Sequence, residues 1–127
     1  MANAIVIAGQ SRKNILLMFG GNRCVWCHRL HQLFNENENI SKFLNANYIL
    51  VMVDVGKKDK NLDLNEKYGN PYSLGFPVLV VLGKEGNQIH TQETGSLEYT
   101  KEETAKKGHD PERVMNSLKT WAPNYSN

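Results

Sequence analysis

Two cysteines stand three positions apart in Arg23-Cys24-Val25-Trp26-Cys27-His28, and the chain has no others. Thiols at that spacing suit one chemistry above all, provided the motif opens a helix. The first sulfur then meets unpaired backbone N–H groups and the positive end of the helix dipole. Both favour thiolate, the form that attacks disulfides. A second thiol one turn further in can displace whatever the first captures. Arg23 and His28 flank the pair, and a cation close to Cys24 would push the same way. Trp26 sits between the thiols, placed either to contact a substrate or to pack at the helix start.

The neighbouring segments meet that proviso. Ile15-Leu16-Leu17-Met18-Phe19 is a short apolar run of strand length, and Gly20-Gly21-Asn22 is a turn signal. Beyond the motif, Cys27, Leu30 and Phe34 recur at helical spacing. The order is therefore strand, turn, Cys-x-x-Cys, helix. Further on, Asn35–Asn39 breaks the pattern, and Asn39 is a candidate cap for a short helix carrying Ile40, Phe43 and Leu44. Tyr48–Val55 is apolar almost throughout and reads as a strand covered on both faces. Lys57–Asn61 is a charged loop, Leu62–Tyr68 a short helix, and Asn70–Ser73 a loop. Val78–Leu82 is a third apolar strand, directly after Phe76-Pro77. Gly83–Asn87 reads as a hairpin turn into an edge strand over Gln88–Gln92. The polar stretch Glu93–Gly108 reads as exposed, and His90 and His109 as isolated and solvated. Asp110-Pro111 starts a last helix, with Val114, Leu118 and Trp121 on one face and Pro123 after its end. Ala2–Ala8 suits a strand or a short helix on propensity alone.

Size and charge narrow the classes. With 127 residues the chain fits one domain, spanning 1–127, large enough to bury a core without disulfide staples. Fifteen Lys+Arg against 13 Asp+Glu leave a net charge of +2, too little to argue for nucleic acid. No apolar stretch is long enough for a membrane span, and no signal-peptide pattern is present. Strands separated by helical segments argue for an α/β layer with parallel strands, closed by an antiparallel hairpin.

Taken together, Cys24-Val25-Trp26-Cys27 and Gly75-Phe76-Pro77 resemble the thioredoxin superfamily, in particular bacterial thioredoxin-like proteins with a Cys-x-Trp-Cys site. The resemblance runs from about Ile15 to Trp121. It implies a thioredoxin-like fold, a central mixed β-sheet flanked by helices, and a helix over Ala2–Ser11. It implies that Pro77 is cis beside the cysteines, and that the backbone of Phe76 pairs with a bound substrate chain. It implies thiol–disulfide oxidoreduction on protein substrates through Cys24 and Cys27, with Trp26, Phe76 and Pro77 at the substrate and no cofactor or metal. A recycling reductase or oxidant would be the partner, the protein would be a monomer, and an exported or periplasmic location is favoured. Reduction of substrate disulfides is the favoured direction. The chain also departs from the superfamily. Arg23 stands where a Trp is usual and Val25-Trp26 where Gly-Pro is usual. Met18 occupies the position of a buried Asp that relays protons for the second thiol.

Three other readings compete. A thioredoxin-like binding module without turnover would use the same groove. Cys24-x-x-Cys27-His28 is also a c-type haem attachment pattern, with Met18, Met52 or Met115 as second axial ligand. Cys24, Cys27, His28 and His31 share one helical face and could bind zinc, although structural zinc sites usually draw ligands from more than one element.

Overall fold

Strand β1 (Asn14–Gly20) runs through the middle of the molecule with six of its seven residues buried. The structure is a computed structural model describing residues 2–21, 24–57, 59–99 and 108–123. On one side β1 pairs in parallel with β2 (Tyr48–Asp54), and on the other antiparallel with β3 (Val78–Leu82). β4 (Gln88–Glu93) adds antiparallel to β3, giving the order β2-β1-β3-β4. The sheet is mixed, as the resemblance implies, with β1–β2 its parallel pair among the described residues.

Helices cover both faces. Helix α1 (Ala2–Ser11) precedes β1, α2 (Val25–Glu36) and α3 (Glu38–Asn47) link β1 to β2, α4 (Leu62–Lys67) follows β2, and α5 (Pro111–Thr120) follows β4. Alternation along the strands sorts the core into two layers. Leu16 and Met18 of β1 join Leu79 and Val81 of β3 under α2, α3 and α5, where Leu30, Phe34, Ile40, Leu44, Val114 and Leu118 meet them. Ile15, Leu17 and Phe19 join Val78, Val80 and Leu82 on the opposite face, against α1 and the α4 region.

Three expectations are narrowed or corrected. The apolar run over β2 marks a strand covered on both faces only in part: Tyr48 and Leu50 join the layer under α2, α3 and α5, and Ile49, Val51 and Val53 join the opposite one. β2 is an edge strand, and Met52 is half exposed. The strands buried most completely are β1 and β3. Asn37, not Asn39, caps α3, its side-chain oxygen accepting from Ile40 N–H at 3.1 Å. Finally, the polar stretch after β4 is not uniformly exposed, since Thr94 and Leu97 are buried. Residues 100–107 of that stretch lie outside the described residues.

Candidate redox site

Cys24 is the N-cap of α2, in extended backbone geometry, so its side chain stands at the open end of the helix. The Cys27 N–H donates to Cys24 Sγ at 3.2 Å. The sequence reading places Cys24 in the first turn. The cap position is better still for a thiolate, because cap side chains accept the N–H groups that have no helical partner. No acidic residue stands in the first turn to oppose the charge. Cys27 lies one turn in and is buried against the α2 face of the core. The two Cα atoms are 5.2 Å apart and the sulfurs are joined as a disulfide. One sulfur is therefore partly exposed at the helix end, and its partner is held inside.

The turn before the motif brings the second half of the site into place. A side chain at Gly20 would put its Cβ 3.1 Å from Cys27 Sγ. One at Gly21 would put its Cβ 2.8 Å from the Phe76 ring and 3.2 Å from the Gly56 carbonyl oxygen. The two glycines thus give clearance as well as a turn. Through them the chain passes between the buried sulfur and Phe76. The Phe76–Pro77 peptide bond is cis, with Pro77 buried and Phe76 half-buried. Gly75 before it adopts φ +105°, a region open to glycine and strained for other residues. Cys24 and Phe76 pack against the same core layer.

Thr94 ties down this corner. Its buried hydroxyl donates to the Pro77 carbonyl at 2.5 Å. Sequence reasoning missed it. One threonine within a polar stretch carries no periodic signal, and its partner is 17 residues away.

Trp26 is half-buried, and its ring meets His109 edge-on, with centroids 5.5 Å apart and planes at 84°. The Arg29 guanidinium lies 5.0 Å from the centre of the same ring. His109 is therefore not the solvated residue the sequence suggests: it is 5 % exposed. Its ring nitrogens have no hydrogen-bond partner among the described residues. Desolvation, and secondarily the Arg29 charge, hold its pKa down to about 4. His90 is likewise not isolated, since it stacks on Trp121 at 4.1 Å.

The remaining predicted site residues are less constrained. His28 is exposed on α2, and its backbone N–H closes a helical bond to the Cys24 carbonyl. Arg23 lies outside the described residues. Met18, in the position a relay carboxylate would take, is wholly buried in the apolar layer that also holds Cys27. Among the described residues, no three His, Cys, Asp or Glu side chains group to hold a metal ion. No described helix is long and apolar enough to cross a membrane.

Known proteins match this geometry. A family model described as a thioredoxin-like domain matches residues 1–109. The crystal structure of a disulphide isomerase from Xylella fastidiosa Temecula1 superposes with a TM-score of 0.76 at 26 % identity, covering 92 % of this chain and 84 % of that one. A thioredoxin from Thermus thermophilus shares the fold with a TM-score of 0.66 at 16 % identity, over 94 % of this chain and 81 % of that one. Mouse spermatogenesis-associated protein 20 is 36 % identical over 61 residues, 48 % of this chain but only 7 % of that protein's length. With the family match spanning most of its length and the Cys24–Cys27 pair at the head of α2, the chain belongs to the thioredoxin-like family.

Proposed function

We propose that the protein is a thiol–disulfide oxidoreductase acting on protein disulfides through Cys24 and Cys27. The observation that carries this reading is the cap position of Cys24, whose sulfur accepts the Cys27 N–H while Cys27 stays buried behind it. In the reduced protein the Cys24 thiolate attacks one sulfur of a substrate disulfide. The other substrate sulfur leaves as thiolate and takes up a proton. The Cys27 thiol then loses its proton and attacks Cys24 Sγ, expelling the second substrate thiolate and closing the Cys24–Cys27 bond. Two electrons pass to the substrate, and a dithiol-bearing reductase returns the pair to its reduced state.

The surface around the pair would take an extended polypeptide. Phe76 supplies backbone groups for a short β-addition beside Pro77. Val25 within the first motif and Leu74 just before the second are 57 % and 56 % exposed, and each offers apolar surface. The half-buried Trp26 adds an aromatic side chain beside the pair. An exported or periplasmic location fits a role on folding or surface proteins, whose disulfides are the natural substrates.

The test is turnover of a disulfide-bonded protein such as insulin, with a small dithiol as electron source. Wild type is expected to accelerate reduction, and Cys24→Ser to fall to the uncatalysed rate. Equal rates for the two, with substrate binding retained, would instead identify a binding module using the same surface.

A further inference from the structure

The peptide unit that joins Trp26 to Cys27 carries the N–H that donates to Cys24 Sγ. Whatever fixes Trp26 therefore fixes the donor that stabilises the Cys24 thiolate. Two contacts hold the Trp26 ring. Arg29, from the next turn of α2, lies over its face. His109, from the loop before α5, meets it edge-on. The second contact is the informative one, because it comes from a distant part of the chain. His109 is anchored by a backbone bridge to Glu98, and Asp110 beside it donates its N–H to the Leu97 carbonyl at 2.7 Å. Asp110 in turn caps α5, accepting from Glu112 N–H at 3.0 Å. Leu97 is buried in the same core layer as Cys27. The imidazole is thus a rigid post rather than a mobile surface group. Both its nitrogens are unpartnered among the described residues, which is costly in a buried site. The group makes no hydrogen-bonded network there. Its ring instead meets Trp26 edge-on.

We propose that His109 is a positioning residue for the redox centre, seating Trp26 so that the first turn of α2 keeps its N–H aimed at Cys24. The inference rests on the reading of Cys24 as the attacking thiolate. An edge-to-face pair prefers one geometry, so it restrains the ring's orientation and not only its burial. Without the post, the first turn loses the restraint that comes from outside α2. The N–H···S contact then weakens, and the thiol loses acidity.

The test is alkylation of the reduced protein by iodoacetamide across a pH series, with the modified cysteine identified by peptide mapping. His109→Leu fills the buried site without an aromatic edge. It is expected to slow Cys24 alkylation at neutral pH about three- to tenfold, as the apparent thiol pKa rises by roughly half to one unit. His109→Phe restores the edge and should stay within about twofold of wild type. Trp26→Ala should slow alkylation comparably, and adding His109→Leu to it should change nothing further, because the effect passes through Trp26. A folded His109→Leu protein with the wild-type alkylation profile would overturn the inference. So would a full His109→Leu effect in the Trp26→Ala background. Failure of the underlying reading looks different: in wild type itself, Cys24 would react no faster than an ordinary thiol.

Discussion

The hydroxyl of Thr94 is expected to hold the Phe76–Pro77 corner, and Thr94→Val isolates that role. Valine keeps the shape and removes only the donor. The lost bond is short, 2.5 Å, and both partners are buried, so the Pro77 carbonyl is left without the group that satisfies it. A neutral hydrogen bond is worth about 1 kcal/mol net, but stranding a buried acceptor costs about 1–3 kcal/mol, so a loss near 2 kcal/mol is expected. Unfolding entropy near 2.1 cal/mol/K per residue gives roughly 0.27 kcal/mol/K for a chain of this size, so Tm should fall by about 7 °C. Urea unfolding should show the same loss as a lower midpoint at unchanged m-value. Catalysis supplies an independent readout. A loosened corner presents the Phe76 backbone less well, so kcat/KM for a protein disulfide should drop. Thr94→Ser keeps the hydroxyl and loses a methyl, which weakens packing but leaves the corner tied. It should therefore lose some stability and keep kcat/KM. If Thr94→Val changes stability by less than about 0.3 kcal/mol, or if Thr94→Ser loses kcat/KM as severely, the hydroxyl does not fix the corner.

Two further outcomes follow from the site. Gly21→Ala places a methyl 2.8 Å from the Phe76 ring and 3.2 Å from the Gly56 carbonyl, so the ring must move, at a cost of about 1–3 kcal/mol and with a lower kcat/KM. Denaturant melts and turnover check it, and wild-type values in both would mean that the turn and Phe76 are not in contact. The His109 imidazole binds its proton less readily folded, at about 4, than unfolded, near 6.5. The unfolded chain therefore takes up more protons on acidification, and stability falls as pH drops from about 6.5 towards 4, by up to roughly 3 kcal/mol. His109→Phe should flatten that part of the wild-type profile in urea melts over the same range. An equal acid loss in the variant would assign it to other groups.

Much of this arrangement is legible in the residues because the decisive signals are local. The run Ile15–Phe19, two glycines and the Cys-x-x-Cys motif at the head of a 3.6-period pattern specify strand, turn and helix without reference to the rest of the chain. Val78–Leu82 is equally plain, being buried on both sides. β2 shows the limit of composition. An apolar strand on the edge of a sheet reads like one at its centre, because pairing partners, not residue types, decide the difference. The cap of α3 could have been found. Asn35, Asn37 and Asn39 are alike as caps, but only Asn37 stands three residues before Ile40, the first inward residue of that helix. Thr94 and His109 could not. Each is a single amphipathic side chain in a polar stretch, and its burial comes from packing on elements far away in sequence: the Pro77 corner for one, the Trp26 ring for the other. Trp26 itself shows why a packing role and a site role are poor alternatives. It packs on His109 and stands in the redox motif at once.

The central claim is that Cys24 is the acidified, accessible sulfur and Cys27 the sheltered one. Alkylation of the reduced protein under limiting reagent, followed by peptide mapping across pH, measures both properties together. The account predicts that Cys24 is modified first, with a rate that rises through an apparent pKa below the roughly 8.5 of a free thiol. Faster modification of Cys27, or a Cys24 that titrates like a free thiol, would contradict it.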